Sequence, residues 1–280
     1  MPTAAEKRRA FRQLHESGCF VIPNPWDVGT ARYLQGLGFK ALATTSAGFA
    51  FSKGFADGTY SRDMALDHCR EIANATDVPV NVDYEDGYAD NPAGVAESVR
   101  LCVETGIAGL SIEDSTEDPA NPLYEFDKAL ARVKAARRAI DEAGGDLIFT
   151  ARSEGFIRGR PDLPETIRRL RAYADAGADC LYAPGIKTRE QIEAVVKAIA
   201  PKPVNFLHSG STDFSVSDIA AMGVRRISTG GALARTAWTG FIRAAREIAE
   251  QGRFDGLTAG TVPNAELNAF FRDDLKRRGS

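Results

Sequence analysis

Short apolar runs alternate with longer stretches of helical periodicity along the whole chain. The runs are rich in Val, Ile, Ala and Leu and are apolar at successive positions, which is typical of strands buried between a barrel core and a layer of helices. In chain order they are Cys19–Pro23, Phe39–Thr44, Pro79–Asp83, Gly109–Glu113, Leu147–Ala151, Cys180–Ala183, Val204–Leu207 and Arg226–Thr229. These eight strands, each followed by a helix, predict an α/β protein that forms one (β/α)8 TIM-type barrel domain over residues 1–280.

The boundaries between these units carry start and stop signals. Ser61 precedes one helical stretch, and Thr188 precedes another with Gln191 three residues later, as a capping box requires. Several units end with a glycine just before the next strand, where a left-handed backbone conformation can close the helix. These glycines are Gly38, Gly106, Gly177 and Gly223.

Two segments lie outside the eight units. A helix is predicted at Ala4–Ser17, before the first strand, and a C-terminal helical extension is predicted at residues 263–280. The extension, helical over Pro263–Arg278, follows an eighth helix at Phe241–Glu250. Neither segment is needed to close a barrel, so we expect each to cover an end of it or to reach a neighbouring subunit.

The charge balance limits the partners that the chain can have. It holds 35 Lys and Arg against 38 Asp and Glu, whereas nucleic acids and acidic membranes require a basic face. We therefore expect no nucleic-acid and no membrane partner. No stretch reaches the ~20 apolar residues of a bilayer span, and the N-terminus lacks the apolar core of a signal peptide. With four scattered cysteines and no C-x-x-C pair, the chain is expected to be cytoplasmic.

Carboxylates concentrate at the ends of the third and fourth predicted strands, the face of a barrel where active sites lie. Asp83 and Glu85 are two residues apart and so share a face of the strand, and Glu113 ends the neighbouring strand. Three converging carboxylates repel one another unless a cation lies between them. An oxygen-only set without His or Cys suits Mg2+, with Mn2+ as a second choice. The alternative is that these carboxylates pair with basic residues at the rim.

Arg152 is the basic residue that directly follows a strand beside this cluster. Its guanidinium could hold a substrate carboxylate or phosphate in bidentate fashion, or form a salt bridge to Glu85 or Glu113. The turn Thr45-Ser-Ala-Gly48 offers small side chains, hydroxyls and approachable backbone N–H groups, which suit an anion.

Covalent catalysis has little support in the sequence. His15 and His68 lie in helical patterns, and His208 follows the seventh strand, where it could contact substrate. No Ser-His-Asp arrangement and no G-x-S-x-G motif is present. A Schiff-base aldolase would need a lysine at a strand end, and Lys53 and Lys187 lie in loops instead.

At these residues the chain resembles the isocitrate lyase / phosphoenolpyruvate mutase superfamily over nearly its whole length. The resemblance implies an Mg2+ enzyme that forms or stabilises an enolate of pyruvate, or of a close relative, and makes or breaks a C–C or P–C bond beside it. Each motif is modest alone, but their order at successive strand ends is specific. The motifs are Asn24-Pro-Trp-Asp27, Thr45-Ser-Ala-Gly48, Gly54-Phe-Ala-Asp-Gly58, Asp83-Tyr-Glu-Asp-Gly-Tyr88, Ile112-Glu-Asp114, Ala151-Arg152 and Gly230-Gly231.

The resemblance also implies which residues contact metal and substrate. By position, the Mg2+ site matches Asp83, Glu85 and Glu113. The turn whose backbone holds the substrate carboxylate matches Ser46, Ala47 and Gly48, which follow Thr45. Arg152 matches an arginine that contacts substrate, and Asp57 matches an aspartate that influences the chemistry. The same resemblance implies a homotetramer, a dimer of dimers with the C-terminal helix exchanged between barrels, a role open here to Pro263–Arg278.

One loop departs from the superfamily pattern. Members that cleave isocitrate or methylisocitrate carry a Lys-(Lys/Arg)-Cys-Gly-His run after the fourth strand, whereas residues 115–124 include no Lys, Cys or His. Phosphonopyruvate-type members place an asparagine in this loop, which makes Asn121 a candidate catalytic residue. The lysine that accompanies that asparagine in the mutases is absent.

Together these observations predict an Mg2+-dependent lyase or hydrolase that breaks a C–C or P–C bond beside the carboxylate of a 2-oxo acid or 2-hydroxy acid. Decarboxylation of oxaloacetate is favoured, because CO2 leaves as a neutral molecule and needs no proton donor in the loop. The alternatives are retro-aldol cleavage, phosphonopyruvate hydrolysis, mutase chemistry, and a 2-oxo-acid-binding protein with little turnover. Asn205 and His208, at the end of the seventh strand, are further candidates for substrate binding.

Overall fold

The structure is a computed structural model that describes residues 1–116, 118–210 and 212–279. Within these ranges one sheet contains eight strands, in the order β1-β8-β7-β6-β5-β4-β3-β2. They are β1 (Phe20–Ile22), β2 (Leu42–Ala43), β3 (Val80–Asp83), β4 (Gly109–Glu113), β5 (Ile148–Arg152), β6 (Cys180–Tyr182), β7 (Val204–Leu207) and β8 (Arg226–Ser228).

All paired strands are parallel, and β1 pairs with β8. The remaining gap between β1 and β2 is bridged by the Ala43 N–H, which donates to the Pro23 carbonyl at 3.0 Å. The predicted (β/α)8 barrel is therefore confirmed.

Helices follow the strands around the outside of this barrel. In the described part of the chain they are α1 (Ala4–Glu16), α2 (Val28–Gly36), α3 (Ser46–Lys53), α4 (Arg62–Ala75), α5 (Pro92–Val103), α6 (Phe126–Glu142), α7 (Leu163–Asp175), α8 (Arg189–Ile199), α9 (Val216–Ala221), α10 (Ala232–Gln251) and α11 (Asn264–Arg278), with a 3-10 turn at Asp255–Leu257. Ser61 caps α4, and Thr188 and Gln191 form the predicted capping box of α8. None of these helices, over the described residues, combines the length and apolar surface that a bilayer span requires.

The main core lies between the sheet and the helices. Leu110 of β4 and Phe149 of β5 are fully buried in one cluster with Val99 of α5 and Val133 of α6. Burial on this scale holds the strands in a fixed register, so the residues at their carboxyl ends are positioned by the core rather than by the loops.

The N-terminal helix α1 covers the amino ends of the strands. Its Phe11 is fully buried in a cluster with Ile22 and Ile148. The Lys7 ammonium donates to the carbonyls of Ala73 at 2.7 Å and Thr76 at 2.5 Å. The helix therefore covers one end of the barrel and leaves the carboxyl ends of the strands free for a site.

The helix after β8 differs from its prediction. It begins at Ala232 rather than Phe241. The prediction missed its first half because Thr236 and Gly240 are weak helix formers and carry no apolar signal. In α10, which is described in full, Ala234 is the one buried residue. The eighth helix therefore leaves its own barrel.

The C-terminal helix α11 lies on α2 of its own chain. The ring of Phe270 packs on Tyr33 with 4.7 Å between centroids, and Asp274 lies 3.8 Å from the Arg32 guanidinium. The segment Pro263–Arg278, to which the resemblance leaves open a role in exchange between barrels, thus contacts α2 of its own chain.

Replacing Gly36 with alanine is expected to displace α11, because a Cβ at this position would lie 2.4 Å from Cε2 of Phe270. The free energy of unfolding should fall by about 1–3 kcal/mol, the usual cost of overpacking. This loss would occur although alanine is intrinsically the better helix former. Urea unfolding followed by circular dichroism measures it.

Gly29→Ala is the matched control in the same helix. Its Cβ would lie 3.8 Å from Cζ of Phe271 and 3.5 Å from Oδ1 of Asp27, which are ordinary contacts. We expect a change within ~0.5 kcal/mol. Equal losses in the two variants would show that α11 does not lie on α2 in solution.

A buried histidine supports α3, the helix that begins at the carboxyl end of β2. The imidazole of His68 on α4 stacks on the Phe49 ring with 4.0 Å between centroids. Burial, followed by the charge of Lys53, lowers the pKa of His68 to about 4. The unfolded chain takes up this proton near pH ~6.5, so between these values the unfolded state binds more protons than the folded one.

The free energy of unfolding should therefore fall as the pH is lowered from about 6.5 to 4, by up to ~1.4 kcal/mol per pH unit from this residue. His68→Phe keeps a ring on Phe49 and removes the titration. In urea unfolding across this window, the variant should lose less stability on acidification than the wild type. Identical pH slopes would contradict the assignment.

Candidate active site

Three neighbouring strands each end on a charged residue: β3 on Asp83, β4 on Glu113 and β5 on Arg152. Glu113 is the direct register partner of Arg152, and Asp83 lies opposite Ser111 of β4. Because the carboxyl ends of parallel strands lie at the same face of the barrel, these side chains meet at its mouth. The register of the sheet thus brings together the cluster that the sequence predicts.

The guanidinium of Arg152 lies at the centre of this cluster. Its Nη1 is 2.5 Å from Oδ1 of Asp83, its Nη2 is 2.9 Å from Oε2 of Glu113, and its Nε is 2.9 Å from Oε1 of Glu154. The guanidinium also lies over the Tyr182 ring, 5.1 Å from the centroid. Of the two salt bridges considered for Arg152, the structure shows the one to Glu113.

Glu113 is buried and contacts a second arginine. Nη2 of Arg158 lies 3.2 Å from its Oε1, and the Ser115 hydroxyl donates to the same oxygen. Burial by itself would raise the pKa of Glu113, but Arg152, Ser115 and Arg158 together outweigh burial and hold the pKa below its ordinary value. Glu113 is therefore an anion at neutral pH.

Two further carboxylates, Glu85 and Asp57, face the mouth. Glu85 has a left-handed backbone with φ of 45°, which is uncommon outside glycine. Its buried Oε1 has no hydrogen-bond partner among the described residues. Burial, followed by repulsion from Asp83, raises the pKa of Glu85 to about 8. The same two causes raise the pKa of Asp57, so the mouth crowds more negative charge than Arg152 offsets.

The turn after β2 lies against this cluster. Thr45 caps α3, and its hydroxyl oxygen accepts from the Gly48 N–H at 3.3 Å. The Ser46 N–H donates to Oδ2 of Asp83 at 3.2 Å. A Cβ at Gly48 would lie 2.9 Å from Cβ of Trp26, so only glycine allows this close packing. The amino end of α3, with its partial positive charge, therefore points at the carboxylate cluster.

These donors fit Mg2+ in kind. All are carboxylate oxygens, the Oε1 of Glu85 has no partner among the described residues, and Mg2+ often reaches its protein ligands through water. No group of three or more His, Cys, Asp or Glu side chains in the described ranges converges as a preformed metal site. The physical reason is that Arg152 binds both Asp83 and Glu113 directly. The residues that could hold the ion are Asp83, Glu85 and Glu113.

Two cavities open at this cluster. One, of about 170 Å3, extends into the barrel, and a second, of about 510 Å3, covers the mouth. Ser46, Asp57 and Arg152 line both of them. A ligand at the mouth would therefore contact the α3 turn, the guanidinium and the carboxylates together.

Three other predicted residues lie at different distances from this centre. Asn205 lines the inner cavity, and its Nδ2 donates to Oγ of Ser228 at 2.9 Å. His208 lines neither cavity, and its Nε2 lies 3.0 Å from the Phe214 carbonyl. Asn121 is exposed and donates to Oδ2 of Asp118 at 3.0 Å. The structure thus brings Asn205 to the site and leaves His208 and Asn121 outside it.

The loop between β4 and α6 forms a short hairpin beside the mouth. Ser115 and Leu123 pair as an antiparallel bridge. Below it, the buried carboxylate of Asp114 accepts from Nη1 of Arg169 at 3.1 Å. Glu117, part of the loop expected to close over the site, lies outside the described residues. The buried ion pair anchors the base of the hairpin.

Arg158, Tyr182 and Arg226 are among the cavity-lining residues that sequence reasoning missed. Tyr182 and Arg226 lie within runs that read as buried strand, and only the barrel shows that they line the inner cavity. Arg158 lies in the loop after β5. Its position six residues after Arg152, on the loop that follows a charged strand end, was the one available signal.

Comparison with known proteins identifies the family. The family model described as phosphoenolpyruvate phosphomutase matches residues 11–249. The chain belongs to this family. A solved structure from Burkholderia cenocepacia J2315 is 47% identical, covers 96% of each chain and has a TM-score of 0.91.

Other members differ in the reactions for which they are named. The oxaloacetate decarboxylase of Paraburkholderia xenovorans (strain LB400) is 29% identical, over 79% of this chain and 74% of that protein. A phosphonopyruvate hydrolase, solved in complex with oxalate and Mg2+, is 24% identical and covers 97% of each chain with a TM-score of 0.83. At that identity the second likeness shows the fold alone.

The family assignment confirms the resemblance drawn from the motifs. The phosphoenolpyruvate phosphomutase family lies within the isocitrate lyase / phosphoenolpyruvate mutase superfamily, whose members are Mg2+-dependent lyases, mutases and hydrolases of 2-oxo acids. The chain is an enzyme of this superfamily.

Proposed function

We propose that this enzyme breaks the bond between the carbon alpha to the carbonyl group of a 2-oxo acid and its next substituent, and that it releases pyruvate, with oxaloacetate as the favoured substrate. The observation that carries the proposal is the arrangement at the mouth. There Arg152 and the amino end of α3 line both cavities, Asp83 lines the inner cavity, and Glu85 and Glu113 line the cavity at the mouth.

Mg2+ fits this proposal, with Asp83, Glu85 and Glu113 as the residues that would hold it. When bound, the ion would supply Lewis-acid stabilisation of the negative charge that develops on the carbonyl oxygen. The support from this chain is the oxygen-only donor set and the buried Oε1 of Glu85, which has no hydrogen-bond partner in the part of the chain that the structure describes.

The chain's own residues would fix the substrate carboxylate. A guanidinium has five N–H donors, and the three contacts of Arg152 to carboxylates leave donors on Nη1 and Nη2. The Ser46 N–H lies on the same side, bound to Asp83. Donors held at this position would orient the acid and stabilise developing charge.

The loop at residues 115–124 favours decarboxylation over a cleavage whose leaving group is itself a carbanion. Its sequence has no Lys, Cys or His to protonate a leaving carbon. Loss of CO2 requires no such proton, because the departing group is neutral. The buried pair of Asp114 and Arg169 would hold the loop beside the mouth and limit access of water.

The test is pyruvate release, coupled to lactate dehydrogenase, from a panel of 2-oxo and 2-hydroxy acids in Mg2+ and in EDTA. The panel is oxaloacetate, phosphonopyruvate, methylisocitrate and 4-hydroxy-2-oxo acids, with enzyme-free blanks because oxaloacetate decays spontaneously. Mg2+-dependent turnover of oxaloacetate above the others would support the proposal. Turnover of phosphonopyruvate alone would overturn the choice of bond, and silence with tight oxalate binding would favour a binding role.

We also propose that α10 packs against a second copy of this chain. Phe241 is 63% exposed and Ile242 42% exposed, on a helix with one buried residue among 20. A helix with exposed apolar side chains that leaves its own barrel needs a partner surface. In a second copy of this chain the same helix also leaves its barrel, so that barrel has a matching position to cover. Sedimentation equilibrium should show an oligomer for the wild type and a smaller species for Phe241→Glu; a wild-type monomer would contradict the proposal.

A further inference from the structure

The inner cavity ends on a buried arginine that the proposed reaction does not use. Arg226 opens β8, is 3% exposed and lines the cavity of about 170 Å3 together with Arg152. TIM barrels usually fill this region with layers of branched apolar side chains. Here the lining includes Asn81, Ser111 and Asn205. The barrel interior is therefore polar, with a positive charge at its inner end.

The partners of Arg226 are neutral. Its Nε donates to Oδ1 of Asn205 at 2.8 Å, its Nη2 donates to Oγ1 of Thr150 at 3.0 Å, and its Nη1 lies 3.4 Å from Nε2 of His15. Of the five N–H groups of a guanidinium, two, on Nη1 and Nη2, remain beyond these three contacts. A guanidinium with two remaining N–H groups on its terminal nitrogens can bind an anion in bidentate fashion.

His15 supplies no counter-charge. Its Nδ1 lies 2.8 Å from the Phe11 carbonyl, so Nδ1 carries the proton and Nε2 offers a lone pair to Arg226. Burial, followed by the charge of Arg226, lowers the pKa of His15 to about 3. The imidazole is therefore a neutral acceptor.

Arg226 and Arg152 differ in whether a carboxylate lies next to the guanidinium. Arg152 contacts three carboxylates within 2.9 Å, whereas no carboxylate in the described ranges lies within 4.0 Å of the Arg226 guanidinium. Burying a cation without a partner of opposite charge is costly. A guanidinium kept in this way beside an open cavity is an attractive position for an anion.

We propose that Arg226 makes the inner end of the cavity an anion subsite, sized for one carboxylate or one small inorganic anion. The ligand chemistry is a compact, fully ionised group that accepts the two remaining N–H groups. It could be the second carboxylate of a bound diacid or a separate halide. The subsite stands on the contacts of Arg226, so it does not depend on which bond the enzyme breaks.

The test compares Arg226→Gln with Arg225→Gln. Arg225 is the adjacent arginine, and its guanidinium donates to the Gly18 carbonyl at the other end of the barrel from the mouth. Thermal unfolding is followed as sodium chloride replaces sodium gluconate at constant ionic strength. The wild type and Arg225→Gln should show a saturable rise in Tm of about 2–4 °C, as a ligand of the folded state produces. Arg226→Gln should show none.

A second measurement covers the case in which Arg226→Gln does not fold. Wild-type crystals soaked in sodium bromide should show an anomalous peak within about 3.5 Å of the Arg226 guanidinium. An absent peak, or a chloride response that Arg226→Gln retains, would overturn the proposal.

The source of the anion is separated by calorimetry with acetate, oxalate, malonate and succinate, with and without chloride. If the subsite takes the second carboxylate of a diacid, the longer diacids should compete with chloride, and Arg226→Gln should weaken them at least about tenfold while acetate is unchanged. If it takes a separate halide, chloride should raise the affinity for the acids in the wild type and have no such effect in Arg226→Gln. Either pattern supports the subsite, and an affinity for all four acids that neither chloride nor Arg226→Gln alters contradicts it.

Discussion

Asp83→Ala is expected to lower kcat/KM of the Mg2+-dependent reaction by about 10^3-fold or more, because one carboxylate serves two parts of the site. Asp83 is 2.5 Å from the Arg152 guanidinium and accepts from the Ser46 N–H at 3.2 Å. It is also one of the three residues that would hold the ion. Its loss should therefore weaken both the metal and the orientation of Arg152.

The measurement is the coupled pyruvate assay across a range of Mg2+ concentrations, with calorimetry of oxalate as a readout independent of turnover. Asp90→Ala is the matched control, since it removes a carboxylate that is exposed and pairs with Lys128 at 2.6 Å. It should stay within about twofold of the wild type, as a surface ion pair contributes little. Mg2+-dependent turnover that survives Asp83→Ala would remove this site from the mechanism.

Arg152→Met should lower the free energy of unfolding by about 3–5 kcal/mol at neutral pH and abolish turnover. The Arg152 side chain is only 11% exposed and is the common partner of Asp83, Glu113 and Glu154. Methionine keeps most of the apolar stem but leaves these carboxylates in a poorly solvated mouth without their cation. Urea unfolding in EDTA isolates this effect from metal binding.

Arg158→Met is the control with a shared partner. Arg158 also contacts Glu113, at 3.2 Å, but its side chain is 43% exposed. Because solvent screens such a pair, we expect a loss below about 1 kcal/mol. Similar losses of unfolding free energy in the two variants would contradict the prediction, because they would mean that the lower exposure of Arg152 does not make its ion pairs stronger than the ion pair of Arg158.

The site was predictable wherever a charged residue followed directly on a strand-like run. Asp83, Glu113 and Arg152 meet this condition, because a parallel barrel brings all strand ends to one face. Asn121 lies deeper in a loop and does not meet this condition. His208 directly follows a strand-like run, but the contacts of its loop decide where the side chain lies. The structure turns them to Asp118 and to the Phe214 carbonyl.

Arg226 could not be assigned from the sequence. In a run of apolar residues, its position at the start of β8 reads as the edge of a strand. Only the closed barrel shows that it faces the cavity and lacks a carboxylate partner among the described residues. The same holds for Tyr182, whose ring lies under Arg152.

The fold class and the carboxylate-rich mouth followed from the chain alone, because hydrophobic periodicity and strand-end position are local properties of the sequence. The tertiary structure decided three features: the direction in which α10 leaves the barrel, the packing of α11 on α2, and the neutral surroundings of Arg226. Each depends on which surfaces, far apart in the chain, come within contact distance. No local pattern encodes such contacts, since packing and charge pairing are set by the whole fold.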